Sequence, residues 1–503
     1  MSVPPRISLA FDSVSGDSET DKHILLLPMA APGYWSLLDR LALNSVMAVP
    51  VNPSRKIANE GGADMPRSGI QVVYLCFLVV LVDGYDIAVY GTVLPALLNQ
   101  NVWALSPGLA GAIASLTLLG QILGAFAAGR LTDRYGRRTL LLASVCVFTV
   151  LTFLCAVAPG PVWFGLLRFL MGLAVGGVMP TAIALALEFA PRLRHNFYGS
   201  AVQAGYGLGA VTVAVAGIFI LPELGFRMMF VIGGLLGLVM LPFLWRLLPE
   251  SPEFLMARGQ SERAFQVAER FGLTVSETPR GSQPARADQR AALRTMMSAR
   301  YRRATIAFPI SGFFGFLLAF GLLTWLPVIL GQEGHALGSA LFLLVALNVG
   351  SSLGSLLLSR IADWLGPRGT IAVCFTVAGI CVASVAFPLP TPMLYVLVLA
   401  AGFAGFGAQV VSFSFAGDSY PAAVRGTALG WTTGMARIGG IAGPTLGGLL
   451  VGSAVAPGWS FVTFGAAALC AGVVILLVPR ARRAADLHPD ESAKVVPSQN
   501  TPV

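Results

Sequence analysis

Charge is what this chain lacks most. Asp, Glu, Lys and Arg make up only 11% of its 503 residues, against 55% hydrophobic, where soluble domains carry about a quarter charged residues. No single soluble core could bury that much apolar side chain, so a soluble globular chain is excluded. Also absent are a phosphate loop with its lysine and any zinc-type motif, which excludes an ATP-driven pump. Six cysteines, Cys76, Cys146, Cys155, Cys374, Cys381 and Cys470, all fall inside apolar runs, none at metal-ligand spacing to a histidine. They read as small buried hydrophobes, not as disulfides or a metal site. No nucleophile, metal or cofactor cluster stands out, so neither an enzyme nor a cofactor is expected.

What is present is a series of apolar runs about as long as a bilayer-spanning helix. They lie at 71–98, 108–130, 139–158, 161–187, 197–220 and 227–248, and again at 304–330, 336–359, 369–388, 393–416, 426–452 and 458–478. The pattern predicts an all-α membrane protein of twelve transmembrane helices in two six-helix halves, 68–248 and 304–478, joined by a loop over 249–303. Residues 1–67 read as a poorly ordered extension with Met65 as an alternative start, and 479–503 as a disordered tail. The patch from Ile24 to Ala31 is too short to span and lacks a signal-peptide cleavage pattern after it.

The net charge of +9 has a topological reading. Arg130, Arg134, Arg137, Arg138, Arg192, Arg194, Arg360, Arg368 and Arg425 fall in loops on one side, and the middle loop adds Arg258, Arg263, Arg302 and Arg303. The other side carries only Arg227. Such asymmetry orients membrane helices. It puts both termini and the middle loop in the cytoplasm of an inner-membrane protein and argues against a nucleic-acid partner.

The halves repeat. Residues 129–138 read GRLTDRYGRR and residues 359–368 read SRIADWLGPR, displaced by 230 positions; the same displacement aligns Glu188 with Asp418, Gly172 with Gly402 and Gly209 with Gly439. Two homologous halves are implied.

A few ionisable residues lie inside the runs, where a charge is costly and needs a cavity or a partner. Asp83 and Asp86 are three apart in the first run and share a helix face. Together they read as a proton carrier or as part of a structural ion pair. Arg168 in the fourth run and Arg437 in the eleventh are the intramembrane cations. Gln203, Tyr206, Asn348, Gln409 and Trp325 are candidate substrate contacts, each equally readable as an interhelical bond or packing residue.

The GRLTDRYGRR loop resembles the signature loop of the major facilitator superfamily, and the likeness runs over nearly the whole chain after residue 68. Within it, the first run, LVDGYDIAVYGTVLPALL, is similar to that of the aromatic acid:proton symporters, which carry 4-hydroxybenzoate, protocatechuate and related compounds. The fourth run and SYPAAVRGTALGWTTGMARIGGIAGP agree with this. The resemblance implies uptake of a small aromatic carboxylate with protons by alternating access, by a monomer in the bilayer. Related sugar porters pair an Asp of the first helix with an Arg of the fourth, which carries over as Asp86 with Arg168. Arg437 is then left to anchor the carboxylate, though the two arginines could exchange roles, and Asp83 and Asp86 are not assigned separately. Asp133, Arg134, Gly136, Arg137 and Arg138 of the signature loop, with Glu188, Asp363, Arg368, Asp418 and Arg425, are expected to gate the cytoplasmic side. A symporter for another organic acid or a sugar, or a drug-efflux antiporter, stays open as an alternative.

Overall fold

A computed structural model describes residues 67–479 apart from 101, 192, 193, 274–288, 454 and 455. The N-terminal extension, most of the C-terminal tail and part of the middle loop therefore lie outside the described residues. All regular structure among the described residues is helical. The first half comprises α1 (Arg67–Asn99), α2 (Pro107–Tyr135), α3 (Arg137–Ala156), α4 (Pro161–Val175), α5 (Val178–Phe189) and α6 (His195–Leu247). Three short helices follow, α7 (Pro252–Ala257), α8 (Ser261–Phe271) and α9 (Gln289–Met296). The second half comprises α10 (Arg302–Gln332), α11 (Leu337–Leu365), α12 (Pro367–Ser384), α13 (Thr391–Asp418), α14 (Ala422–Val451) and α15 (Gly458–Ile475).

Among the described residues, ten helical stretches are long and apolar enough to cross a bilayer. One of them is α6, which Gly225 breaks at φ 72° into two arms. With α14, 30 residues long, the total is twelve. The fourth run is interrupted between α4 and α5. Pro180 has no N–H to give the Gly176 carbonyl, and Gly176 and Gly177 fill the break.

The sequence repeat reappears as contacts. In the first half a Cβ on Gly120 would lie 2.2 Å from the Phe169 carbonyl oxygen, and one on Gly172 would lie 2.1 Å from that of Thr117, so α2 and α4 meet backbone to backbone. In the second half Gly350 meets Leu399 and Gly402 meets Leu347 at 2.1 Å each, all four displaced by 230 positions. Small residues let membrane helices approach this closely. Outward faces are apolar instead: Val162, Phe126 and Phe219 are 80%, 69% and 69% exposed, as lipid contact requires.

The halves meet most tightly away from the signature loop. Gly91 of α1 packs on the Leu323 carbonyl, and Gly111 of α2 on that of Pro444. The Ser115 hydroxyl donates to the Ile441 carbonyl at 2.7 Å and lies 2.7 Å from Thr445 Oγ1. These positions lie away from the signature loop. Toward the Arg-rich end, Gly129 of α2 and Gly426, Gly430 and Gly434 of α14 face open space. The bundle is thus closed at the far end.

Candidate functional site

Two charged groupings sit near mid-bundle. The first lies within the first half. Arg168 Nη1 donates to Asp86 Oδ1 at 2.5 Å, and Nη2 to the Asp86 backbone carbonyl at 3.2 Å. Both residues are 1% exposed. The guanidinium also lies over the Tyr90 ring, 5.8 Å from its centroid. Tyr90 is fixed by donating to the Ala110 carbonyl at 2.8 Å, and Tyr85 by donating to that of Met229 at 2.7 Å. These bonds hold α1 in register, so the pair is preorganised. It is not saturated: Asp86 Oδ2 and Arg168 Nε have no partner among the described residues.

The second grouping bridges the halves. Asp83 is buried on α1, with Oδ1 unpartnered. Arg437 of α14 is near enough to act on it electrostatically, and Tyr206 of α6 feels Asp83, Asp86 and Arg437 together. Gly84 makes this convergence feasible. A Cβ there would lie 2.0 Å from the Tyr206 carbonyl oxygen, so α1 and α6 meet with no side chain between them. Arg437 is half-buried and donates to the Gln121 carbonyl at 3.3 Å. It has no carboxylate within ion-pair distance among the described residues, which leaves donors for an incoming anion.

One face of α10 supplies aromatic surface beside Arg437. Phe313, Phe316 and Phe320 are half-buried at helical spacing. Phe316 meets Phe320 at 5.3 Å and Phe413 of α13 at 5.8 Å, both edge-on, and Gly440, one turn from Arg437, abuts the Phe320 and Phe316 rings.

The remaining candidates are scattered. Trp325 is fully buried and donates to the Pro444 carbonyl at 2.8 Å, tying α10 to α14. Asn348 donates to Leu344 in its own helix at 2.8 Å. Gln203 is half-buried. Gln409 is buried against Gly312 and Gly315, and neither of its amide atoms has a partner among the described residues.

At the Arg-rich end, Gly136 turns the chain between α2 and α3 at φ 91°, a conformation that glycine tolerates. It leaves α3 without a side-chain cap of its own. The cap comes from Glu250, whose Oε1 accepts from the Arg138 and Ser251 backbone N–H groups at 3.0 Å each. Arg137 pairs with Glu188 and lies 3.6 Å from Glu253. Arg258 donates to the Arg134 carbonyl, and Arg138 to that of Trp245 at 2.5 Å. Asp133 caps nothing among the described residues. Nor do Asp363, Asp418 or Arg425, all exposed, have a described ion-pair partner. Glu250 and Glu253 are absent from the sequence-derived candidates. Their signal was two acidic residues directly after the last run of the first half.

Comparison with known proteins identifies the family and the fold. The profile of the Major Facilitator Superfamily matches residues 76–444. The chain belongs to the major facilitator superfamily. Among its relatives within this superfamily of transporters, a gallate transporter of Pseudomonas putida is 33% identical over 82% of this chain and 92% of its own length. A gentisate transporter of Corynebacterium glutamicum is 32% identical, covering 86% and 93%. A benzoate transport protein of Acinetobacter baylyi is 30% identical, covering 81% and 89%. The inward-open xylose transporter XylE of E. coli superposes with a TM-score of 0.65 at 20% identity, over 83% of this facilitator and 98% of XylE, a likeness of fold. This facilitator is a multi-pass membrane protein of that twelve-helix fold.

Proposed function

We propose that this facilitator imports a small aromatic carboxylate, such as a hydroxybenzoate, across the inner membrane together with protons. The observation that carries the proposal is the buried Asp83 carboxylate, unpartnered at one oxygen and within electrostatic reach of the Arg437 guanidinium of the other half. An anion arriving at Arg437 competes with Asp83 for the same positive charge. Protonation of Asp83 relieves that competition, so substrate and proton favour each other's binding. The Phe313–Phe320 face offers ring-stacking surface next to the carboxylate anchor. Relatives named for gallate, gentisate and benzoate share that chemistry: a carboxylate on an aromatic ring.

Asp86 is the second protonation site. Its proton weakens the bond to Arg168 and so loosens α1 from α4, coupling charge to the rocking of the halves. The Arg-rich end is the cytoplasmic one by the positive-inside rule, so the end at which the halves meet is the outer one. Arg137, Glu188 and the Glu250 cap brace the cytoplasmic end as it closes.

The test is uptake of labelled benzoate, 4-hydroxybenzoate, gentisate, gallate, an aliphatic dicarboxylate and a sugar into proteoliposomes under an imposed pH gradient, acid outside, with the passive uptake of protein-free liposomes subtracted. Accumulation that a protonophore collapses supports the proposal; gradient-independent uptake removes the proton. Preference for an aliphatic acid or a sugar removes the aromatic substrate.

A further inference from the structure

The signature corner of the second half lacks a part that the first half has. In the first half the turn at Gly136 is filled: a Cβ there would lie 2.3 Å from Glu250 Oε2, and that carboxylate caps α3. The matching turn, displaced by 230 positions, is Gly366, at φ 88°, and it faces open space. Arg368 matches Arg138 and ties its half together in the same way, donating to the Leu476 carbonyl at the end of α15. No carboxylate pairs with Arg368 among the described residues, and its Nε, like that of Arg138, is buried without a described partner; what the second half lacks is a carboxylate at the turn itself.

Beside this corner is a cavity of about 490 Å³ between α10, α12 and α15. Two guanidiniums, Arg303 and Arg368, sit at its rim, and Ile306, Ile310, Val474 and Leu477 line its apolar wall. Arg303, Ile306 and Ile310 share one exposed face of α10, and Leu477 is 62% exposed. The cavity therefore joins a positive rim, at the Arg-rich end of the membrane helices, to an apolar slot on the lipid-facing side of α10 and α15.

We propose that this cavity binds an anionic phospholipid, its phosphate held by Arg303 and Arg368 and an acyl chain laid along Ile306, Ile310, Val474 and Leu477. A guanidinium matches a phosphate in shape and charge. The apolar wall selects a phosphate that carries a chain over free phosphate. With two arginines and no described carboxylate at the rim, a net-negative headgroup is favoured over a zwitterionic one. The lipid phosphate places an anion beside the corner where the first half has the Glu250 carboxylate, held by side chains rather than by a helix N-terminus, and it braces α12 against α15 from outside the chain. The proposal is independent of the substrate carried.

The test uses the full chain, purified in detergent and titrated with phosphatidylglycerol, with phosphatidylethanolamine of the same acyl chains and with inorganic phosphate, adducts being read by native mass spectrometry. Phosphatidylglycerol is retained in preference to phosphatidylethanolamine, and Arg303→Gln lowers its occupancy by about fivefold. Arg368→Gln does the same but also removes the bond to Leu476, so Arg303, which makes no described hydrogen bond, is the deciding position. Arg130→Gln, exposed at the same end but outside the cavity, leaves retention unchanged. Equal retention of the two lipids, unchanged retention in Arg303→Gln, or inorganic phosphate binding as tightly as the lipid would each overturn the assignment.

Discussion

Arg168 and Asp86 form a buried ion pair, N–O 2.5 Å, that is satisfied on one side only: Oδ1 accepts from the guanidinium while Oδ2 has no described partner. A carboxylate so held can take a proton on its free oxygen without first breaking the bond, which suits a group that must cycle between charged and neutral forms. Replacing Asp86 with Asn should abolish accumulation driven by the pH gradient while exchange of labelled for unlabelled substrate continues. It leaves Arg168 buried without its counter-charge, at a cost of about 3–5 kcal/mol, so a fall in thermal stability accompanies the loss. Normal accumulation by a folded Asp86→Asn protein would remove Asp86 from the coupling.

Arg437 should act on the substrate rather than on folding. Its described hydrogen bond, to the Gln121 carbonyl, is long at 3.3 Å. Arg437→Lys keeps the charge but loses the planar fork that grips a carboxylate by two bonds. Loss of one charge-assisted hydrogen bond is worth about 1.5–3 kcal/mol, so KM for a benzoate should rise about 10- to 100-fold with the melting temperature nearly unchanged. An unchanged KM would assign the carboxylate elsewhere.

The closed end offers a direct test of alternating access. Ser115 Oγ and Thr445 Oγ1 are 2.7 Å apart across the halves, which brings their Cβ atoms near the separation of about 3.5–4.5 Å that a disulfide needs. The double change Ser115→Cys and Thr445→Cys should crosslink under oxidant, lock the far end shut and stop uptake, and a reductant should restore it. Uptake that persists in the oxidised protein would mean that this end need not open.

Glu250 should matter for stability and not for substrate affinity. Its carboxylate caps α3 from more than a hundred residues away because Gly136 has no side chain to do so. Glu250→Ala should cost about 1 kcal/mol, as loss of a helix cap does, lowering the melting temperature by a few degrees while KM holds. An altered KM at unchanged stability would contradict this role.

Much of this was legible in the chain. Asp83, Asp86, Arg168 and Arg437 stood out because a charge inside an apolar run is expensive, and the 230-residue displacement foretold the matched glycine contacts at Gly172 and Gly402. The break after Val175 was also written there, in Gly176, Gly177 and Pro180, though apolar periodicity alone runs straight through it. Two things were not legible. Glu250 looks like any acidic residue in a loop until folding brings it to Gly136. Trp325 and Asn348 carry the composition of a binding site, yet the Trp325 indole N–H donates to Pro444 and the Asn348 amide donates to Leu344 of its own helix, and only the packing reveals that. Which end of the bundle is closed is likewise not a property of pattern, since one sequence must support both states.

The most direct measurement is proton-linked accumulation in proteoliposomes of the unaltered protein. With the external medium acid and the interior neutral, labelled 4-hydroxybenzoate or gentisate should concentrate inside faster than the neutral acid enters protein-free liposomes, each influx raising the acidity of the lumen, and a protonophore should abolish that protein-dependent accumulation. Equilibration without accumulation, unaffected by the gradient or the protonophore, would contradict the account.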